Sequence, residues 1–149
     1  MKLLFIRMNN FRSFYGETPK IKFGHGTKNV TVIHGVNGAG KTNFLNSFTW
    51  CLFKATSKAF SMPEQIINKR AVREASAGDK LTGWVEIKFD HSGIKYLVRR
   101  TVELRKTEDG LKCEQIEDSR SLTIERDNGS KDSIEDSMIQ RYIERVIPK

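Results

Sequence analysis

Residues 35–42 are the stretch of this chain whose residue types and spacing specify a ligand. They read Gly-Val-Asn-Gly-Ala-Gly-Lys-Thr, which is the pattern Gly-x-x-x-x-Gly-Lys-Thr. Glycines in such a loop let consecutive backbone N–H groups turn inward and form a cradle for phosphate oxygens. Lys41 adds a mobile positive charge that reaches the β- and γ-phosphates, and Thr42 offers a hydroxyl to Mg²⁺. The stretch therefore predicts a loop that holds a nucleoside triphosphate and Mg²⁺.

The segments on both sides of this loop agree with that prediction. Residues 30–34 before it are a β-branched run, typical of a strand buried on both faces. After it we predict an α-helix over about 41–54, whose positive dipole end also favours phosphate. A glycine turn that only joins a strand to a helix is the alternative, and the match of the spacing and of both flanking segments argues against it. The predicted helix has one apolar stripe, formed by Phe44, Leu45, Phe48, Cys51 and Leu52.

Length and charge limit the classes of protein that this chain can represent. Its 149 residues predict one domain with a buried core. The net charge of +8 is uneven, because residues 1–70 hold 11 Lys/Arg and 2 Asp/Glu while residues 71–149 hold 15 and 16. Part of this excess should serve nucleotide phosphates, and the rest either faces a nucleic-acid backbone or is an ordinary solvated surface. The basic residues in this second group, which would face either a nucleic-acid backbone or solvent, include Lys20, Lys22, Lys28, Lys54, Lys58, Lys69 and Arg70.

Hydropathy and cysteine usage indicate a cytoplasmic protein without a membrane partner. No apolar run approaches the roughly 20 residues that span a bilayer, and the apolar part of residues 1–7 is too short for a signal peptide. Cys51 and Cys113 lie far apart with no partner motif. Because Cys51 falls on the predicted apolar stripe, we expect a reduced thiol in the core.

Most of the remaining chain is predicted to form strands. A turn at residues 91–93 joins two alternating segments into a hairpin, and a second hairpin is predicted further on, closed by Asp127-Asn128-Gly129. The period-two alternation of residues 84–89 indicates a sheet exposed on one face. Between the predicted helix and these hairpins, Pro63 interrupts the pattern and residues 75–79 indicate an exposed loop. The strands are predicted over residues 3–8, 20–23, 29–34, 84–89, 94–104, 111–117 and 121–126.

A last helix is predicted to begin at Asp132-Ser133. Ser133 and Asp136 have the spacing of a capping box, and Pro148 should end the helix. Its apolar face would carry Ile134, Met138, Ile139, Tyr142, Ile143 and Val146.

The chain shows only half of the residues that a hydrolysing enzyme of this kind needs. An acidic strand end should help to hold Mg²⁺, and another residue should position water. Residues 85–90 are the nearest candidate and fail, because they alternate and Asp90 opens a hairpin turn. His25, His34 and His91 are scattered and have no metal-ligand spacing. Three explanations remain open: a fragment, nucleotide binding without hydrolysis, or partner residues supplied by another chain. No catalytic residue is assigned here.

The segment Asn10-Phe11-Arg12-Ser13-Phe14 follows the first predicted strand and precedes the phosphate loop. This pairing resembles the N-terminal lobe of the SMC-like, DNA-break-repair class of ABC ATPases. The resemblance implies an α/β fold, a P-loop NTPase N-terminal lobe with a mixed sheet, the P-loop helix and an antiparallel β layer. It also implies that Arg12 lies beside the phosphates and that residues 66–70 run past the adenine and ribose.

Within this class, residues 32–42 together with Leu45-Asn46 and Trp50-Cys51-Leu52 look like the DndD family, the ATPases of bacterial DNA phosphorothioation. The chain departs from the class at Asn43, where a second Thr or Ser is usual. Thr42 is the Mg²⁺ ligand that the resemblance implies. The implied ATP-binding residues are Arg12, Asn37, Gly38, Ala39, Gly40, Lys41, Thr42, Asn43, Ile66 and Asn68.

In this class the chain continues into a lid loop, a long coiled coil and a C-terminal lobe. That second lobe carries the signature serine, the acidic magnesium strand and the catalytic glutamate. We therefore expect residues 1–149 to be the N-terminal lobe of a larger ATPase in which two heads sandwich ATP. The expected partners are the C-terminal lobe, a second head, DNA and other DNA-modification proteins.

Two other classes remain as alternatives. A transporter nucleotide-binding domain has the same style of phosphate loop, but it needs a signature motif and an acidic strand. The 107 residues after Thr42 show neither. The second alternative is a module that binds nucleotide or nucleic acid without hydrolysis. Because the chain shows only half of an ATP site, we expect it by itself to bind ATP weakly and to hydrolyse it negligibly.

Overall fold

The fold is described by a computed structural model that covers residues 1–24, 26–27, 30–55, 65–110 and 112–147. Within these residues, six strands form one antiparallel sheet in the order β2-β1-β3-β4-β5-β6. The strands are β1 (Lys2–Asn9), β2 (Ile21–Lys22), β3 (Lys80–His91), β4 (Ile94–Lys106), β5 (Cys113–Glu125) and β6 (Lys131–Ile134). The helices are α1 (Lys41–Phe53), α2 (Lys69–Glu74) and α3 (Asp136–Val146).

The core lies between α1 and one face of the sheet. Ile87 of β3 and Val98 of β4 are fully buried, and α1 packs on these two strands. The Cys51 thiol of α1 donates to the Val85 carbonyl at 3.3 Å. Burial raises the pKa of this thiol to about 12, so it stays protonated and unreactive at neutral pH. The predicted reduced core thiol is confirmed. The packing of α1 on β3 and β4 also fixes the direction of this helix, which follows the phosphate loop.

The first strands, the hairpin turn and the phosphate-loop helix are confirmed. At the turn, the Gly93 amide donates to the Asp90 carboxylate at 3.2 Å, as expected of an acidic residue that opens a hairpin. One residue of the predicted apolar stripe is wrong, because Leu45 is 65% exposed. Ser47 and Trp50 are buried instead, since the helix face toward the sheet is rotated away from Leu45.

Trp84 and Glu86 are buried, although they lie on the face of residues 84–89 that was expected to be exposed. Strand β3 is central, paired with β1 on one side and β4 on the other. Glu86 is only 5% exposed, because Arg7 donates to its carboxylate at 2.6 Å and Arg99 lies 3.9 Å away. The alternation therefore marks a charged residue that is buried with its partners, which a period-two pattern alone does not distinguish from exposure.

The second predicted hairpin is replaced by one long strand. Strand β5 pairs with β4 along its whole length, and only a register shift opposite Glu103 and Leu104 interrupts the ladder. Residues 118–120, which separate the two predicted strands, continue the strand instead, and Ser119 lies opposite Thr101 of β4. The predicted turn at residues 127–129 is present, and it leads into β6. Leu111 lies outside the described residues.

The predicted start of the last helix is also wrong. Residues 131–134 form β6, in which Ile134 pairs with Leu122 and uses backbone groups that a helix would need. Helix α3 begins at Asp136 after Glu135, without a side-chain cap, so the predicted capping box is absent. Ile139 and Ile143 are buried as predicted, whereas Met138 and Tyr142 are exposed. Pro148 lies outside the described residues.

The strand predicted immediately before the phosphate loop is not found in residues 30–34. Val30 and Val32 are 78% and 81% exposed, and no described strand pairs with this segment. Isolated extended backbone lacks the ladder that stabilises a strand, so β propensity alone does not form one. Among the described strands every pairing is antiparallel, and the mixed sheet is not seen there. Asn29, Lys28, His25, Lys58 and Pro63 lie outside the described residues.

None of the helices in the described ranges is long and apolar enough to cross a membrane.

Candidate nucleotide-binding site

The phosphate loop runs directly into the first turn of α1. Gly38 and Gly40 have φ values of 83° and 94°, which side chains rarely tolerate. The Ala39 amide donates to the Val36 carbonyl at 3.2 Å, and the Phe44 amide donates to the Gly40 carbonyl at 2.8 Å. No side chain caps the helix start and its first turn has no acidic residue. The positive end of the helix is therefore available to an anion.

Lys41 lies over this loop. Its ammonium group donates to the Gly35 carbonyl at 2.6 Å and to the Val36 carbonyl at 2.9 Å. Both acceptors are neutral, and a phosphate oxygen is a stronger acceptor for an ammonium group. The same side chain can therefore exchange a loop carbonyl for a phosphate oxygen without leaving the loop. Asn37, Ala39 and Thr42 are exposed around it.

Arg12 lies on a tight turn that follows β1. Its φ of 56° is left-handed, which costs a non-glycine residue roughly 1–2 kcal/mol. The turn is held by its neighbours: the Arg12 amide donates to the Ile66 carbonyl at 2.8 Å, and the Asn68 side chain donates to the Arg12 carbonyl at 2.6 Å. The Arg12 guanidinium donates to the Gln65 carbonyl. Residues 65–68 thus fix both the backbone and the side chain of Arg12.

The same turn contacts the phosphate loop. The Asn43 side chain donates to the Ser13 hydroxyl at 3.1 Å. A Cβ placed on Gly40 would lie 2.5 Å from that hydroxyl oxygen, so only glycine permits this approach. The structure therefore brings the turn with Arg12 against the loop with Lys41, although the two segments are far apart in the sequence.

A cavity of about 390 Å³ lies beside this contact. It opens between the Arg12 turn, the start of α1 and α2, and its described lining contains no Asp or Glu. Burial lowers the pKa of the Arg12 guanidinium, because desolvation disfavours the charged form. An anion bound in the cavity would offset the free energy that desolvation of the charged guanidinium costs. Four cationic residues line it, namely Arg12, Lys69, Arg70 and Arg73.

Comparison with known protein families agrees with this geometry. The family model described as an AAA domain matches residues 6–147. The chain belongs to this family. Over 97 residues it is 34% identical to a protein named DNA double-strand break repair Rad50 ATPase, from Sulfolobus acidocaldarius. That match covers 65% of this chain and 9% of the relative, so the chain spans only a small part of that protein's length.

The fold of this AAA domain is similar to that of an SMC ATPase. A solved structure described under ATP-driven dimerization and DNA-stimulated activation of SMC ATPases superposes with a TM-score of 0.62. The superposition covers 99% of this chain and 82% of the other, at 22% sequence identity. The predicted fold class is confirmed by this likeness.

Helix α2 is a part of the candidate site that was not predicted from the sequence. Arg70 donates to Glu74 at 2.7 Å and stacks over the Tyr15 ring at 4.4 Å, and the Tyr15 hydroxyl donates to Glu74 at 2.5 Å. These contacts join α2 to the turn that carries Arg12. Asn68 was a usable signal, because asparagine is a frequent residue before the first turn of a helix.

Ile66 and Asn68 lie beneath Arg12, and both are buried. The Asn68 side chain accepts from the Arg70 amide at 2.8 Å and from the Ala71 amide at 3.4 Å, in addition to its bond to Arg12. It caps α2 and supports the turn. The adenine and ribose contacts expected of these two residues remain predictions.

Replacing Gly40 by alanine is expected to weaken binding of MgATP more than replacing Gly38. Both glycines have positive φ, so each alanine carries a similar backbone strain. Only the Cβ at position 40 meets the Ser13 hydroxyl, whereas nothing lies within 4 Å of a Cβ at position 38. Isothermal titration calorimetry on both variants measures the difference. Equal losses would show that the contact between turn and loop does not matter for the ligand.

Proposed function

We propose that this chain binds ATP and Mg²⁺ as the N-terminal nucleotide-binding lobe of an SMC-like ATPase. The observation that carries the proposal is the contact between the Arg12 turn and the phosphate loop at Gly40. A phosphate loop by itself supplies one cation, Lys41, and the turn that contacts the loop through Ser13 carries a second one, Arg12. Together with Mg²⁺, two side-chain cations around one cradle would balance most of the negative charge of a triphosphate.

Each residue of the site then has a role in holding the nucleotide. The amides of residues 37–40 and Lys41 would hold the β- and γ-phosphates, and Arg12 would be the second cation. Asn43 follows the loop at the start of α1 and also lines the cavity. Lys69, Arg70 and Arg73 lie on the same lining and would be near the nucleoside end of the nucleotide. Ile66 and Asn68 would support this end from below.

Thr42 is the residue that would bring Mg²⁺ to the phosphates. Its side chain is exposed at the first turn of α1, next to the loop, and a hydroxyl oxygen suits this hard cation. The described residues contain no group of three His, Cys, Asp or Glu that could hold a metal by themselves. The donor set therefore fits a cation that is shared with phosphate oxygens, as in other phosphate-loop proteins.

We propose that hydrolysis needs residues from the C-terminal lobe of the parent protein and from a second head. The exposed Val30, Val32 and Val36 support a contact with the second lobe, because a row of exposed β-branched residues beside the site suits an added strand. The SMC ATPase of similar fold is described as undergoing ATP-driven dimerization, which supports the second head. A cytoplasmic location belongs to the same proposal.

DNA is the proposed macromolecular partner. Of the basic residues named from the sequence, Lys69 and Arg70 lie at the cavity and Lys54 pairs with Asp118 at 2.6 Å. Lys20 and Lys22 lie at the β2 edge of the sheet and suit contacts with a DNA backbone.

The pathway is open between DNA repair, DNA sulfur modification and phage defence, and the first two have specific support. Similarity to a break-repair Rad50 ATPase supports DNA repair. The resemblance of residues 32–52 to the DndD family supports DNA sulfur modification together with other modification proteins. Phosphorothioate linkages that disappear from host DNA when the gene is deleted would decide for sulfur modification.

Calorimetry and a phosphate-release assay on the 149-residue chain test the nucleotide proposal. We expect MgATP binding with a Kd on the order of 0.1 mM, which corresponds to about −5.5 kcal/mol, and negligible turnover. Robust turnover that depends on Lys41 would overturn the division of the catalytic site between two lobes. Absence of any MgATP binding at millimolar concentration would overturn the proposal itself.

A further inference from the structure

We infer that Ser13 and Asn43 are positioning residues that set Arg12 relative to the phosphate loop. The inference rests on the proposed nucleotide-binding function and assigns these two residues to that site. Asn43 was expected from the family resemblance to contact the nucleotide directly. Its side-chain amide instead donates to the Ser13 hydroxyl at 3.1 Å, and Ser13 is the neighbour of Arg12.

The turn that carries Arg12 has anchors on two sides. Residues 65–68 hold one side, through the bonds from the Arg12 amide to Ile66 and from Asn68 to the Arg12 carbonyl. The buried Phe11 ring packs on Trp50 of α1 with ring centroids 5.3 Å apart. These contacts fix the turn to α2 and to the body of α1, but none of them reaches the phosphate loop.

Ser13 supplies the contact with the loop. Its hydroxyl lies against Gly40, the residue immediately before Lys41, and it accepts from Asn43, two residues after Lys41. The Ser13 hydroxyl therefore touches the chain on both sides of the phosphate-binding lysine. Because Arg12 has a left-handed backbone, its direction depends on its neighbours more than that of an ordinary residue. Losing this contact should let the Arg12 side chain move relative to the loop.

A double-mutant cycle separates this role from a merely structural one. MgATP affinity would be measured by calorimetry for the full chain and for Ser13→Ala, Arg12→Ala and the double variant. We expect Ser13→Ala to lower affinity by about three- to tenfold, the usual range for one hydrogen bond, and to add less than about twofold when Arg12 is absent. An equal loss in both backgrounds, or no loss in the first, would overturn the inference.

Two further variants define the chemistry. Ser13→Thr keeps the hydroxyl and should recover most of the affinity. Asn43→Leu keeps the volume but removes the donor, and it should match Ser13→Ala without adding to it. A larger loss for Asn43→Leu that persists beside Ser13→Ala would show that Asn43 contacts the nucleotide directly. Ser121→Ala, which changes an exposed serine on β5, is the matched control.

A measurement without nucleotide distinguishes a failure of this inference from a failure of the proposed function. Hydrogen exchange reports the amides of Arg12 and Phe14, which are bonded to Ile66 and Phe11. Ser13→Ala should speed exchange at these two amides several-fold and leave the amides of β3 unchanged. Unchanged exchange at Arg12 and Phe14 would overturn the inference even if the chain binds ATP. Wild-type chain without ATP affinity, but with the expected exchange, would overturn only the proposed function.

Discussion

Replacing Lys41 by alanine is expected to lower the affinity of this chain for MgATP by about 10- to 100-fold. A hydrogen bond from a charged donor contributes about 1.5–3 kcal/mol, and that range corresponds to this loss. The lysine lies on the loop beside the positive end of α1, so its contribution adds to that of the backbone amides. Arg12→Ala should cost less, because the guanidinium already donates to Gln65 and lies on the neighbouring turn.

Lys95→Ala is the matched control, since it removes the same charge at the far end of the sheet. In the sheet, Lys95 of β4 lies opposite Asp90 of β3, and Asp90 lies opposite Lys2 at the start of β1. The Arg12 turn follows the other end of β1. Calorimetry on the three variants, with thermal melts to verify folding, measures the effect. Equal affinity for wild type and Lys41→Ala would mean that the loop is not the nucleotide site.

Replacing Asp118 by alanine is expected to lower the free energy of unfolding by about 3–5 kcal/mol, the usual cost of removing one partner of a buried ion pair. Arg100 is only 2% exposed, and it donates to the Asp118 carboxylate at 3.1 Å and to the Cys51 carbonyl at 3.4 Å. Burial lowers the pKa of this arginine, so its charge is already costly to keep. Without Asp118, the Arg100 guanidinium would still interact with the carboxyl end of α1 through the Cys51 carbonyl. Among the described residues, no carboxylate would then be bonded to it.

Arg100→Met should destabilise the chain less than Asp118→Ala. In that variant Asp118 keeps Lys54, whose ammonium lies 2.6 Å away, and methionine fills much of the volume of the arginine. Urea denaturation followed by tryptophan fluorescence compares the two. Asp132→Ala is the surface control, because its pair with Arg126 is exposed and should contribute no more than about 1 kcal/mol. If Asp118→Ala lowered the free energy of unfolding less than Arg100→Met does, the result would contradict the conclusion that Asp118 compensates the buried charge of Arg100.

Local spacing in the sequence was enough to predict the phosphate loop, its helix and the hairpin turn. The positive φ angles of the loop require glycine at positions 38 and 40, so this backbone conformation can be read from the residue types. The turn at Asp90 to Gly93 is also local, because its hydrogen bond spans three residues. For such features, no distant part of the chain is needed.

Burial and pairing were predicted less well, because they depend on which segments meet. Glu86 is buried since β1 and β4 bring Arg7 and Arg99 to it, and the alternation of β3 alone looked exposed. Ile134 lies in a strand because Leu122 is opposite, although its own segment had helical spacing. Val32 stays exposed for the opposite reason, since no described strand pairs with it.

The sequence by itself determined the glycine loop at residues 35–42 and the helix that follows it, because their residue spacing is the local requirement of a phosphate-binding loop. Tertiary structure decided that Ser13 contacts Gly40 and that α2 brings Lys69 and Arg73 to the same cavity. The physical reason is that a contact between distant segments depends on sheet register and helix packing, which bring residues together without leaving a periodic pattern in either segment.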